Sequence, residues 1–250
     1  MKISIIVITW NAVSVLRDCL VSLEEVMKRE DVETIVVDNG SQDKTVSFVK
    51  ETYPHIRLIS LVANMGVAYA RNRALEKASG KYLFILDNDT IAGKEAIEGM
   101  ERFMDEHSEV GICGCKLIDA DNRVQESCRR YPGISEKLSN LSKPGEYRYS
   151  YDEDKKSIPF EPEYLIGACQ FIRREAFEAV GLLDQHIFYG PEDADFCLRV
   201  KKAGWSIYYL PQYSIIHLCQ RRTNKKLFSK LARKHAVALL YFYWKHKRLN

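Results

Sequence analysis

The chain opens on four short apolar runs, Ile3–Thr9, 34–37, 56–61 and 82–86, each rich in β-branched or aromatic residues and each bounded by polar positions. Such runs read as buried strands. Helical patterns lie between them. Val15, Leu16, Cys19, Leu20, Leu23 and Met27 fall on one face of a helix. Ser41 stands where it can cap the helix after the second strand, and a third helix is expected over 66–79, stopping at Gly80. Repeated strand–helix–strand units with near-continuous apolar strands predict an α/β fold, a mostly parallel sheet covered by helices on both faces.

In sheets of that kind ligands sit beyond the carboxyl ends of the strands. The residues found there are Thr9, Trp10 and Asn11; Asp38, Asn39 and Gly40; Asn64 and Gly66; and Asp87, Asn88 and Asp89. One aspartate after a strand is commonly a helix cap or a turn former. Four polar strand ends together are hard to explain as turn chemistry alone.

Beyond residue 90 the pattern is less regular. Residues 110–118 and 165–173 read as strands, and 131–163 as a long loop rich in proline and tyrosine. Loops of that length in a compact domain are commonly lids or binding segments. Residues 191–204 read as a helix opening on Pro191-Glu192-Asp193, and a basic, aromatic-rich helix over 224–247 closes the chain.

Charge adds one asymmetry. The net charge of the 250 residues is +3, yet from Arg221 onward there are ten Lys and Arg and no Asp or Glu. An acidic body with a basic tail predicts an anionic partner for the tail. Because the cations flank the apolar and aromatic run at 236–244, an anionic membrane surface is expected rather than a nucleic acid. The alternative is that this helix packs its aromatic face on the body. The seven cysteines are scattered, with no C-x-x-C pair, and read as buried thiols of a cytoplasmic protein. No run reaches the roughly 18–20 apolar residues that span a bilayer. The location expected is therefore cytoplasmic, peripheral on the inner face of the cell membrane if the tail binds lipid.

Asp87-Asn88-Asp89 directly follows an apolar strand. Two carboxylates one residue apart at a sheet rim can hold a hard divalent cation, which in turn can bridge two phosphates. The same tripeptide also occurs in ordinary turns. Five segments taken together are more specific: Ile5-Ile6-Val7-Ile8-Thr9-Trp10-Asn11, Val36-Val37-Asp38-Asn39-Gly40-Ser41-Gln42-Asp43, Asn64-Met65-Gly66-Val67-Ala68-Tyr69-Ala70-Arg71-Asn72, Asp87-Asn88-Asp89, and Gly190-Pro191-Glu192-Asp193-Ala194-Asp195-Phe196-Cys197-Leu198-Arg199, with His217 after them. In this order and spacing the chain resembles the family 2 glycosyltransferases of GT-A fold, and within them the rhamnosyltransferase-like members.

The resemblance implies a nucleotide-diphosphate sugar as donor, a glycan or lipid-linked acceptor, Mg2+ or Mn2+ as cofactor, and no nucleic acid. It implies that Asp38 accepts the ring N–H of uracil or thymine, with Thr9 and Asn11 lining the nucleoside pocket. Asn64, Gly66 and Arg71 would lie along the nucleotide, with Asp87, Asn88 and Asp89 completing that set. Asp89 and His217 would be metal ligands. Asp193 would be the catalytic base, Glu192 would orient the acceptor, and Gly167 and Ala168 would form a backbone wall beside it. Without the resemblance, Glu192, Asp193 and Asp195 would merely complement a helix N-terminus.

The implied organisation is a catalytic domain over 1–220, with a nucleotide-binding half at 1–90 and an acceptor-binding half at 91–220, followed by the basic helix at 221–250. Gln220-Arg221-Arg222-Thr223 only echoes the Q-x-x-R-W motif of processive members, so a single transfer is expected. No G-x-G-x-x-G or Walker-type loop is present, which argues against dinucleotide and P-loop enzymes. Two alternatives stand beside the transferase: a sugar nucleotidyltransferase, which should show a glycine-rich, Arg-containing loop after the first strand, and a non-catalytic nucleotide-sugar-binding protein.

Overall fold

The computed structural model describes residues 1–131, 158–218 and 230–246. Among them, nine strands form one sheet: β1 (Ile3–Thr9), β2 (Val32–Asp38), β3 (Arg57–Ser60), β4 (Tyr82–Asp87), β5 (Thr90–Ile91), β6 (Val110–Ile118), β7 (Val124–Gln125), β10 (Cys169–Arg173) and β11 (Ser206–His217). The order is β3-β2-β1-β4-β10-β6-β11-β5, with β7 beside β6, and a small second sheet pairs β8 (Cys128–Arg129) with β9 (Tyr164–Leu165). Strands β3, β2, β1 and β4 run parallel, as do β6 and β11; β10 is inserted antiparallel between β4 and β6.

Side chains alternate across the central strand, as the period of a strand requires. Ile3, Ile5 and Val7 of β1 enter one core with Leu16, Leu20 and Leu23 of α1 (Val13–Met27), Val49 of α2 (Thr45–Thr52), and Met100 and Met104 of α4 (Lys94–Glu106). Ile6 enters the other, with Ala68, Ala70 and Ala74 of α3 (Val67–Leu75), Ala176 of α5 (Arg174–Val180), Phe196 and Val200 of α6 (Glu192–Lys202), and Phe242 of α7 (Lys230–Lys245). Helices therefore cover both faces. The alanines of α3 let that helix approach β1 and β2 closely.

Three boundaries differ from the sequence reading, each because a side chain captures the backbone. Ser41 does not cap a helix: α2 starts at Thr45, while Ser41 Oγ accepts the Asn11 N–H at 2.8 Å and ties two strand-end loops together. The third helix ends at Leu75, short of Gly80. Glu33 accepts the Ser79 N–H at 2.6 Å and Ser4 Oγ accepts the Gly80 N–H at 2.7 Å, which turns the chain into β4. The expected strand at 165–173 is broken into β9 and β10, because Gly167 between them gives its N–H to Asp193 and its C=O to Arg71.

The described part of the loop is its two ends, where Tyr131 stacks on Tyr164 at 5.4 Å; residues 132–157 lie outside the described residues. The six described cysteines are buried thiols. Residues 219–229, and with them the Gln220–Thr223 echo, also lie outside. Among the described residues no helix is long and apolar enough to cross a membrane.

The closing helix does pack on the body. Ala238 and Phe242 are buried, whereas Val237, Leu240 and Trp244 face outward. Phe242→Ala removes the central apolar anchor of α7, a change that typically costs about 3–5 kcal/mol in a packed core. Amide exchange of α7 should accelerate while β1, β4 and β10 keep their protection. Unchanged exchange in α7 would show that its docking does not depend on this ring.

Candidate active site

Strand ends β1, β2 and β4 surround a cavity of about 230 Å³. Thr9, Asn64, Gly66, Asp87, Asn88 and Asp89, all expected at the site, line it. Its wall is knitted by amides. Asn88 donates to Thr9 Oγ1 at 3.0 Å, and the Asn39 amide donates to Asn64 Oδ1 and to the Gly66 C=O, both at 3.3 Å. Asn39 Oδ1 in turn accepts the Met65 N–H at 2.9 Å. Gly66 has φ +92°, and a Cβ there would stand 2.6 Å from the Phe188 carbonyl oxygen, so this position requires glycine on both counts.

Asp38 and Asn11 sit just outside this lining. Asp38 is buried and accepts the Ser41 N–H at 3.1 Å; Asn11, at φ +47°, accepts the Gln42 N–H at 2.7 Å. They shape the loops behind the cavity. Trp10, noted after the first strand, also lines the cavity, as do Phe188 and Tyr189, which the sequence reading does not single out. Phe188 and Tyr189 carried no signal, because they arrive from the far end of the chain.

Asp87, Asp89 and His217 offer ligand atoms that all lie within 4.8 Å of one another. Topology makes this cluster. Thr90 and Ile91 turn back as β5 and pair with the end of β11, where His217 lies opposite Thr90. His217 Nε2 then stands 3.4 Å from Asp89 Oδ1. On the other side of the ring, Gln125 donates its amide to the His217 C=O at 2.7 Å and places Oε1 2.8 Å from Nδ1. That amide orientation assigns the ring proton to Nδ1 and turns the Nε2 lone pair toward Asp89, the arrangement a metal-binding histidine needs. Two carboxylates and one imidazole form a donor set that suits Mg2+ or Mn2+.

Arg71, expected along the nucleotide, reaches the cavity through Asp87. It is not on the cavity wall but buried behind it, bonded to Asp87 Oδ1 at 2.7 Å, to Glu192 Oε1 at 3.3 Å and to the Gly167 C=O at 2.8 Å. A Cβ on Gly167 would meet the guanidinium at 2.4 Å, so glycine is required there by close approach. The Gly167 N–H reaches Asp193 Oδ2 at 3.1 Å, and the Ala168 C=O accepts the Asp87 N–H at 3.2 Å. Both polar groups of Gly167 are thus engaged in cross-links between α3, α6 and the end of β4.

Burial pushes the Glu192 carboxyl up to about 7, with neighbouring Asp193 adding to the shift and Arg71 opposing it. Burial also raises Asp87, again against Arg71. The unfolded chain ionises Glu192 near 4.5, so between 4.5 and about 7 the folded chain holds the extra proton. Stability from this group is complete below that window and falls as pH rises through it. Glu192→Gln should flatten this dependence. Urea midpoints followed across the window test it, and equal slopes for both proteins would count against the buried neutral acid.

Residues 4–181 match Glycosyl transferase family 2. An N-acetylglucosaminyl-diphospho-decaprenol L-rhamnosyltransferase of Mycobacterium tuberculosis is 26% identical over 97% of this chain and 84% of its own length. The dTDP-rhamnosyl transferase RfbF of Shigella flexneri is 28% identical over 76% of this chain, which spans 61% of that relative. Among solved structures, a mannosyltransferase from Pyrobaculum calidifontis in complex with GDP-Man and Mn2+ superposes with TM-score 0.67 at 20% identity, covering 100% of this chain and 65% of that one. The fold is that of the GT-A glycosyltransferases. With the family match covering more than half of its length, the chain belongs to glycosyl transferase family 2.

Proposed function

We propose that the chain moves one sugar, with inversion and without processive elongation, from a UDP- or dTDP-sugar to an acceptor hydroxyl in the synthesis of a surface polysaccharide or glycolipid. The observation that carries this reading is the union, through Arg71 and Gly167, of the Asp87–Asp89–His217 cluster at the cavity with the carboxylates that open α6. The printed activities of the mycobacterial and Shigella relatives favour rhamnose as the sugar and a lipid-linked glycan as the acceptor. Residues 1–90 supply the nucleotide-binding half and 91–220 the acceptor half, and the enzyme works at the inner face of a membrane.

In this reading Asp38 accepts the ring N–H of the base, Thr9 and Asn11 border the nucleoside, and Asn64 and Gly66 follow the nucleotide. Asp89 and His217, with Asp87 beside them, would hold Mg2+ or Mn2+, which when bound supplies positive charge against the leaving diphosphate. Asp193 takes the proton of the attacking hydroxyl as the new bond forms opposite the leaving group. The Gly167 N–H at one of its oxygens and the Ala194 N–H, at 2.7 Å from the other, fix the carboxylate in place. Glu192 orients the acceptor beside it. Arg71 acts as a positioning residue, holding Asp87 and Glu192 at one distance from each other.

Asp193→Asn keeps the size of the side chain and removes the proton acceptor. Donor binding should persist while transfer falls about 10²–10⁴-fold. A transfer rate equal to that of the unaltered enzyme would remove Asp193 from the base role. Metal dependence is tested separately. Excess chelator should abolish transfer, and Asp89→Ala should lose the metal-dependent part of nucleotide affinity in calorimetry; full turnover in chelator would overturn the ligand assignment.

A further inference from the structure

A second cavity, of about 560 Å³, lies between α7 and the segment that leads into α6. It is lined by His186, Phe188, Arg233, Lys234, Val237 and Ala238. Phe188 also lines the first cavity, so one ring separates the two. The backbone of that wall is fixed: Val67 donates its N–H to the Phe188 C=O at 2.9 Å, and the His235 ring lies 3.0 Å from the Gly190 C=O.

Two features of this second cavity point to its ligand. Its polar lining is cationic. Lys234 Nζ stands 3.2 Å from the centre of the Phe188 ring, Arg233 lies beside it on an exposed turn, and His186 closes the edge. The neighbouring carboxylate, Asp184, is already engaged by Lys245 at 2.7 Å, Tyr241 at 2.9 Å and His186 at 2.8 Å. The cavity also opens onto an apolar track. Val237 is both a lining residue and 66% exposed, and Leu240 and Trp244, 72% and 65% exposed, continue from it along the same face of α7. At 1.5 Å per residue that track runs about 10 Å from Val237 to Trp244.

A cationic pocket continuous with an outward apolar stripe fits an amphiphile with a compact anionic head and a hydrocarbon tail. The second cavity shares Phe188 with the proposed donor cavity, so a head bound there stands beside the donor. We propose that this cavity binds the diphosphate of a prenyl-diphosphate-linked acceptor, with Arg233 and Lys234 on the phosphates and Val237, Leu240 and Trp244 along the first isoprene units. The assignment rests on the transferase reading above and deepens it.

The test uses the full chain in excess chelator, so that metal-bridged diphosphate binding at the first cavity does not contribute. Farnesyl diphosphate is titrated by calorimetry against inorganic pyrophosphate and farnesol. The diphosphate lipid should bind at least tenfold more tightly than either half. Arg233→Ala combined with Lys234→Ala should weaken it tenfold or more, and Val237→Asp, at an exposed position that folding tolerates, should do the same. Pyrophosphate or farnesol binding as tightly as the whole amphiphile would overturn the proposal. So would binding to phosphatidylglycerol vesicles that farnesyl diphosphate does not displace, since the surface would then serve bulk lipid.

Donor hydrolysis separates the two readings. If nucleotide-sugar turnover is intact but farnesyl diphosphate does not bind, the acceptor subsite is wrong and the transferase stands. If farnesyl diphosphate binds and no sugar nucleotide turns over, the subsite stands and the transferase reading falls.

Discussion

Arg71 is a buried cation with three partners drawn from three separate parts of the chain: Asp87 at the end of β4, Glu192 at the start of α6 and the Gly167 carbonyl between β9 and β10. Its two terminal nitrogens are bonded while the buried Nε has no hydrogen-bond partner, so the group depends on these three contacts. Removing one partner of a buried ion pair commonly costs about 3–5 kcal/mol. The planar fork of arginine also fixes directions as well as charge. Glu192, Asp87 and Gly167 are therefore not independent. Any displacement of α6 relative to β4 leaves charge uncompensated in a dry interior.

The same constraint explains what was legible in the chain. Strands β1, β2 and β4 and the helix α1 were readable because their apolar periods are continuous and local. The polar residues at the strand ends were readable because a parallel sheet forces them to one edge. The role of Arg71 was not. A single arginine on a helix carries no periodic signal of burial, and its partners lie 16, 96 and 121 residues away. Gln125 was missed for the same reason: it reaches His217 across 92 residues through the β6–β7 hairpin. The boundaries misjudged at Ser41, at Gly80 and within 165–173 all fall where a distant side chain replaces a backbone partner, so local propensity had no means of finding them.

The opening turn of α6 shows how one short acidic stretch serves three surfaces. Successive helical positions are rotated by about 100°, so residues 192, 193 and 195 leave the axis in different directions. Glu192 turns inward to Arg71, and Asp193 turns to the Gly167 N–H. Asp195, fully buried, has different partners: Arg199 at 2.8 Å, Lys245 at 2.7 Å and His246 at 2.8 Å. The repulsion between neighbouring acids here is real: Asp193 adds to the upward shift that burial gives Glu192, while Arg71 opposes it. Through Asp195 the last turn of α7 anchors the same helix start that Arg71 holds through Glu192. Among the described residues the end of α7 is therefore tied to the body: Lys245 bridges Asp184 and Asp195 at 2.7 Å each, and the His246 ring lies 2.8 Å from Asp195, while Arg233 and Lys234 of its first turns line the second cavity.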